Sequence, residues 1–180
     1  MFKVKFGRAP KALKSARKEA ELTQQQLSMD DELFLSRESV SHQECGRHKV
    51  QPEVAQYFAE KHNDPRPALE AASDYTGWGP LILDGETADL HRVNLLVQSK
   101  IQMTEALDAL QNSVEHISVN PKTLSDTKMI EKSIQECLDV ITALTQLIVV
   151  LCKEYSISWV KMWGKHKMKL LTRGLIKGAS

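Results

Sequence analysis

The sequence predicts an all-α protein in which a small helical domain is followed by a long helical hairpin. Two helix-start signals, at Thr23 and Ser36, introduce short helices near the beginning of the chain. Farther along, apolar residues recur at three- and four-residue spacings over about 88–117 and 130–155, a coiled-coil-like pattern. Glycine and proline cluster between these regions. We therefore expect a domain at 1–75, a hinge at 76–87, a hairpin at 88–158 and a basic tail at 159–180.

Charge is distributed unevenly along the 180 residues. The formal net charge of +1 is the result of +2 over residues 1–66, −7 over 67–140 and +6 over 141–180. Basic ends fit a polyanionic partner, although lysine-rich surfaces are more often only solvated.

The reactive residue types argue against an enzyme or a metal site. The three cysteines are far apart, and no histidine completes a metal-ligand spacing with them. The chain has neither a glycine-rich phosphate loop nor a nucleophile beside a plausible base. Its longest uninterrupted apolar run, residues 147–152, is shorter than the roughly 20 residues that span a bilayer. We expect a cytoplasmic, non-enzymatic protein that has no cofactor, no metal and no membrane span.

The first 75 residues carry the signals of five short helices. Pro10 suits the first turn of a helix, and Leu13 lies on its inward face. Thr23 and Ser36 can cap the second and third helices, and Gly46 supplies a left-handed stop. The fourth helix is expected from Pro52, and the fifth from Ala68 to Tyr75, after a break at Asp64-Pro65-Arg66-Pro67.

Residues 22–47 carry a fairly specific motif. It reads Leu22, Thr23, Gln24 and Leu27, then Ser36, Arg37, Val40, Ser41, Glu44 and Gly46. This motif resembles the helix-turn-helix (HTH) of the phage lambda repressor, Cro and Xre family of DNA-binding proteins, and the resemblance covers roughly residues 11–64. Two departures stand out. The segment from Leu27 to Ser36 is about two residues longer, so Asp30-Asp31-Glu32 should lengthen the first motif helix or the turn, and Gln43 replaces a usually apolar residue.

The resemblance implies a five-helix lambda-repressor-like domain and gives roles to its residues. The expected base-contacting residues are Arg37, Glu38, Ser39 and His42. Phosphate-contacting or supporting roles fall to Thr23, Gln24, Ser41, Arg47 and Lys49. Arg17 and Glu44 should form an ion pair that braces the first helix against the recognition helix.

The hinge contains the only turn-rich sequence of the chain, TGWGPLILDGET. Its Leu81-Ile82-Leu83 segment is expected either as a short strand or as an apolar clasp onto a neighbouring domain. Trp78 is expected to anchor packing rather than to bind a ligand.

The hairpin should contain two long helices separated by a break at Asn120-Pro121, with Thr123 or Ser125 capping the second. In the first helix, apolar residues from Leu90 to Ile117 lie near one stripe. In the second, a heptad seam is the expected dimerisation surface: Ile130, Ile134, Cys137, Ile141, Leu144, Ile148, Leu151 and Tyr155. The seam favours a homodimer or a higher homo-oligomer, and the alternative is an intramolecular bundle closed by the tail.

The tail carries six Lys/Arg from Lys161 to Lys177 and no acid. Docking onto the acidic middle domain is the preferred interpretation, while contact with DNA phosphates, a membrane surface or fraying remain open.

Taken with the resemblance, these patterns predict a sequence-specific regulator of transcription that binds a palindrome in double-stranded DNA as a homodimer. A repressor of the phage or mobile-element type fits best. Two alternatives remain. One is an antitoxin whose C-terminal helices cover a partner protein, and the other is a protein-interaction adaptor with a degenerate HTH, for which a regulatory protein or peptide would be the partner.

Overall fold

The structure, a computed structural model, describes residues 7–118 and 127–178. Within these ranges the chain is all-α, with nine helices and no strand. The fold class predicted from the sequence is therefore confirmed at this level. The expected break at Asn120-Pro121 and the caps Thr123 and Ser125 lie outside the described residues.

The helices follow the order of the chain. They are α1 (Ala9–Glu19), α2 (Gln24–Ser28), α3 (Arg37–Glu44), α4 (Pro52–Lys61), α5 (Arg66–Thr76), α6 (Arg92–Asn112), α7 (Val114–Ser118), α8 (Lys128–Glu154) and α9 (Trp159–Thr172). They form two compact units. The first unit comprises the chain up to Gly79 together with the residues from Leu151 onward, and the hairpin unit comprises Pro80–Val150.

The helix starts of the first unit follow the expected chemistry. The Thr23 side chain accepts a hydrogen bond from the Gln26 backbone N–H, and the Gln26 side chain accepts one from the Thr23 N–H, which is a complete capping box. Ser36 accepts from Ser39 N–H at the start of α3. Because α2 ends at Ser28, the additional residues lengthen the turn rather than the helix.

The core of the first unit is made of large apolar side chains. Leu13 of α1, Leu27 of α2, Val40 of α3 and Phe58 of α4 are buried together, and Ala71 joins them from α5. The inward position predicted for Leu13 on α1 is therefore confirmed. Burial of this kind is what makes short helices stable, since each is too short to form alone in water.

The C-terminal tail belongs to the first unit, which differs from the expected docking onto the acidic middle of the chain. The side chain of Asn63 connects the tail to the first unit through hydrogen bonds. Its side-chain amide donates to the carbonyl oxygens of Cys152 (3.0 Å) and Ile157 (2.9 Å), and its oxygen accepts from Trp159 N–H at 2.8 Å. Short-range hydrogen bonds of this kind fix the start of α9, whereas charge attraction gives no defined geometry.

The hinge also differs from the expectation. Leu81-Ile82-Leu83 forms no strand; Ile82 is buried, and the Leu83 N–H donates to the side chain of Gln146 at 3.1 Å. Trp78 is 75% exposed and anchors no packing, so that expectation is wrong. The flanking Gly77 and Gly79 have φ values of 80° and 136°.

The hairpin unit contains α6, α7 and α8 up to Val150. The first long helix starts at Arg92 rather than near Ala88, and it is interrupted at Ser113. By length and composition alone, α8 is long and apolar enough to cross a membrane, a property it shares with core helices of soluble proteins. The expectation based on one uninterrupted apolar run missed this, because the apolar residues of α8 are spread over 27 positions.

Candidate nucleic-acid interface

The α3 helix presents a polar outer face near its N-terminus. Arg37 and Glu38 are exposed, and Ser41 and His42 are half-buried one turn later. On the other side, Val40 is buried in the core, and α3 packs against both α1 and α2. Side chains four residues apart lie on one helical face. The arrangement can therefore insert a row of short and long polar side chains into a groove.

A buried ion pair holds α3 from behind. The Arg17 guanidinium contacts both carboxylate oxygens of Glu44; its Nε bonds Oε1, and its Nη2 lies 3.0 Å from Oε2. Arg17 Nη1 also donates to the carbonyl oxygen of Leu22 at 2.6 Å, and Gln24 Nε2 donates to Glu44 Oε2 at 2.8 Å. The hydrogen bond to Glu44 raises the pKa of Arg17 above its ordinary value, against the effect of burial. α1, α2 and α3 are thus fixed at one bidentate contact.

Gln43 is a buried polar residue that links two helices. It is only 1% exposed, and its Oε1 accepts from Gln51 N–H, at the N-cap of α4, at 2.8 Å. Its Nε2 donates to Ser39 Oγ at 3.3 Å. A buried amide with both ends bonded ties α3 to α4. Ser39 is half-buried and its Oγ accepts this bond, so its hydroxyl has a partner within the protein, and its expected base contact stays a prediction.

The residues after α3 separate into two groups. Arg47 is exposed, and the His48 ring meets the His42 ring edge-on, with centroids 4.9 Å apart. Lys49 lies elsewhere, because its Nζ donates to the carbonyl oxygen of Asp74 at 3.1 Å and sits 4.5 Å from the centroid of the Tyr75 ring. The structure thus places Arg47 and His48 beside α3, while Lys49 is directed to α5.

A shallow depression of about 510 Å³ lies beside the N-terminal ends of α2 and α3. Arg17, Thr23, Gln24, Gln25 and Arg37 line it. Of these, Gln25 was not identified from the sequence, since it falls on a variable position of the motif. The Arg17 guanidinium is occupied by Glu44 and Leu22, so the exposed Arg37 side chain is the cationic group of this lining that can reach a phosphate oxygen.

The lengthened turn between α2 and α3 is ordered by Asp30. Its Oδ1 accepts from Glu32 N–H at 3.0 Å, and its Oδ2 accepts from Tyr57 OH at 2.9 Å. These bonds hold the pKa of Asp30 below its ordinary value, and the bond from the Glu32 backbone has the larger effect. Burial and the Asp30 carboxylate together raise the pKa of Tyr57 to about 12.

The same turn exposes two large apolar side chains that the sequence analysis did not select. Phe34 is 90% exposed and has φ 47°, a left-handed backbone that bulky residues rarely adopt, and Met29 is exposed as well. Both precede the Ser36 cap closely. Neither belongs to the polar face of α3, but an apolar side chain can contact a thymine methyl group.

The expected dimerisation residues differ in their exposure to solvent. Ile134, Ile141, Ile148 and Tyr155 are exposed, and Ile130, Cys137, Leu144 and Leu151 are half-buried. Leu151 and Tyr155 fall in the first unit rather than in the hairpin unit, because the Asn63 contacts begin at Cys152.

Among the described residues, no group of three His, Cys, Asp or Glu is placed to hold a metal ion. No family model, curated protein or solved structure matches this chain. The interpretation of the site therefore depends on its own geometry.

Proposed function

We propose that this protein is a sequence-specific DNA-binding regulator of transcription, in which α2 and α3 act as a lambda-repressor-like HTH. One observation carries the proposal. The Arg17–Glu44–Gln24 contact and the buried Gln43 fix α3 from behind, while Arg37, Glu38 and His42 are left on its outer side. Rigid support behind a polar helix N-terminus suits the major groove, which admits one α-helix.

The exposed side chains have complementary chemistry. Arg37 can donate two hydrogen bonds to the O6 and N7 acceptors of guanine, and Glu38 can accept from cytosine N4. His42 can donate from one ring nitrogen, with its ring held by the edge contact to His48. The lining of the depression near Thr23, together with Arg47, would contact phosphates and set the register of α3 on the duplex. Ser41 supports the same face, while Ser39 and Lys49 contribute through their protein contacts.

A single module of this size gives weak specific binding, because it covers only a few base pairs. Two copies acting on a palindrome, with half-sites about 34 Å apart, raise the affinity. We therefore propose a cytoplasmic homodimer that blocks a promoter, most consistent with a repressor of the phage or mobile-element type. The resemblance of residues 11–64 supports this class.

The test begins with selection from a random duplex library by the full-length chain. The recovered duplex and a scrambled duplex are then compared by fluorescence anisotropy at several salt concentrations. Arg37→Ala combined with His42→Ala should lose most discrimination, about 1–3 kcal/mol for each base contact removed. Circular dichroism should show an unchanged helix content.

Arg47→Ala is the matched control, because it removes a phosphate contact rather than a base contact. It should weaken binding to both duplexes by a similar factor and reduce the salt slope by about one. If the library yields no enriched sequence and binding to any duplex is independent of salt, the proposal fails.

The exposed apolar residues of the hairpin support a second candidate. An adaptor or an antitoxin would use them to bind another protein, and the N-terminal unit would then contribute little. Such a protein would show no salt-dependent DNA binding and would copurify with a partner in stoichiometric amounts.

A further inference from the structure

The buried residues of the two hairpin helices are largely small or polar, with Leu95, Leu147 and Val149 as the large apolar exceptions. Ser99, Ala106, Ala109 and Ser113 are buried on the α6 side, and Ser133, Ala143 and Leu147 on the α8 side. The hydroxyl oxygens of Ser113 and Ser133 are 2.5 Å apart, and Ser133 Oγ is 2.9 Å from the carbonyl oxygen of Ala109. Ser99 Oγ donates to the Ala143 carbonyl at 3.4 Å. Since later residues of α6 meet earlier residues of α8, the two helices are antiparallel.

Most of the large apolar side chains of these helices lie outside this interior. On α6 they are Val93, Leu96, Met103, Leu107 and Leu110, and on α8 they are Ile134, Ile141 and Ile148; we call these eight residues the apolar face. Each is between 40% and 64% exposed. The α6 residues alternate three- and four-residue steps with Lys100 as the one polar position, and the α8 residues repeat every seven. Both are heptad patterns.

The two rows lie on the same side of the hairpin. With 3.6 residues per turn, each row is rotated by roughly 100° from the buried row of its own helix, in the direction of increasing residue number. Because the two helices are antiparallel and face each other, the same sense of rotation brings both rows to the same side of the hairpin. The rows therefore form a single continuous surface.

The opposite side of the hairpin has different chemistry. Asn94, Gln98 and Glu105 of α6 and Lys132, Gln135 and Asp139 of α8 lie there, with Ile101 as an exposed apolar exception. Gln146, on that side, accepts the Leu83 N–H, so the hairpin unit's own leading segment covers part of it. One side is thus solvated or covered by the chain, and the other is apolar and uncovered within the hairpin unit.

We propose that the apolar face packs against the apolar face of a second copy and forms a four-helix bundle. The surface is about 30 Å long and about 20 Å wide, or roughly 600 Å² per copy. A standard stable interface buries about 800 Å² per partner. The estimated area is close to this value, although it treats the surface as flat and leaves out the area that protruding side chains add. A self-complementary apolar patch under two-fold symmetry requires no other partner. This inference specifies the homodimer of the proposed function, although it depends on no DNA contact.

The experiment measures the mass of the full-length chain in solution. Wild-type protein should sediment as a dimer at micromolar concentrations. Leu107→Glu combined with Ile141→Glu places two carboxylates within the apolar face of each copy, and should weaken association about 100-fold or more. Both positions are at least half exposed in the single chain, so the helix content measured by circular dichroism should not change.

The matched control is Gln98→Glu combined with Gln135→Glu, which adds the same charge to the polar side of the same two helices. It should remain dimeric. A monomeric wild type, or equal dissociation of both double variants, would overturn the proposal. So would a wild type that stays monomeric but cosediments with neutral phosphatidylcholine vesicles, since lipid would then cover the face. Loss of DNA binding by a protein that still dimerises would count against the proposed function alone.

Discussion

The first unit and the hairpin unit differ in which side chains they bury. In the first unit, Phe58, Leu13 and Leu27 are fully buried, and polar side chains such as Arg37 face solvent. In the hairpin, Ser99 and Ser113 are fully buried while larger residues such as Leu107 face outward. Burying a large apolar side chain stabilises a fold by about 1.5–3 kcal/mol, and burying a serine contributes far less.

This difference indicates which unit is complete in a single chain. The short helices of the first unit are stabilised by one shared core, so the unit has its own source of stability. The hairpin gains close helix contact from its small residues, but its main apolar surface gains nothing until something covers it. The first unit can therefore present a fixed polar surface, and the second is suited to association.

The largest expected effect on stability is the difference between truncating a large side chain in the first unit and truncating one in the hairpin unit. Phe58→Ala should lower the free energy of unfolding by about 3–5 kcal/mol, because Phe58 is fully buried. Leu107→Ala should lower the free energy of unfolding of the monomer by less than about 0.5 kcal/mol, since this side chain is 64% exposed, but it should weaken self-association.

Urea unfolding checks this pair of variants. All three tryptophans belong to the first unit, so their fluorescence reports that unit, while circular dichroism reports both units. Similar destabilisation of monomers by the two truncations would contradict the contrast between the units.

An intermediate effect is expected from filling the interior of the hairpin. Ala109→Leu adds three carbon atoms where α6 meets α8, and should cost about 1–3 kcal/mol through steric overlap despite the gain in hydrophobicity. The control is Gln111→Leu, two residues away on the exposed side of the same helix. Thermal unfolding followed by circular dichroism should show a lower Tm for Ala109→Leu only. A higher Tm would mean that the small interior residues are not required.

The smallest effect concerns acid. The folded-state pKa of Asp30 lies below its ordinary value of 3.8, so its contribution to stability is present above that pH and is lost as the pH falls through the lower folded value. Asp30→Asn keeps neutral hydrogen bonding but does not titrate. The hydroxyl contacts of Ser113 and Ser133 in the hairpin do not titrate in this range either.

Wild type should therefore exceed Asp30→Asn in stability by a few tenths of a kcal/mol at pH 6, and the difference should shrink as the pH falls below 3.8. Tryptophan-monitored urea unfolding over a series of pH values from 6 downward measures it. A difference that is constant with pH would show that the Asp30 charge is not what orders the turn.

Local signals were the part of the fold that could be read from the sequence. Thr23 and Ser36 cap helices, Gly46 adopts φ 70°, and Pro52 begins α4, because each depends on chemistry within a few residues. The apolar repeat of the second long helix was also visible. Each of these features belongs to one short segment of chain.

Features that depend on distant partners were not predictable in the same way. The α6 helix has apolar residues on more than one side, and only its contact with α8 shows that Ser99 and Ala109 turn inward. The hydrogen bond at Ser39 Oγ depends on Gln43, and the direction of Lys49 depends on Tyr75. Asn63, which fixes the tail, carries no local signal because its partners lie about 90 residues later.

By itself, the sequence determined the helical class, the starts of the short helices and the heptad spacing, since backbone preference and side-chain periodicity are local properties. Only the tertiary structure decided which face of each long helix is inside, which polar residues are held by others, and which unit receives the tail. Those outcomes depend on how surfaces from distant parts of the chain fit together, and packing selects among faces that are almost equally apolar.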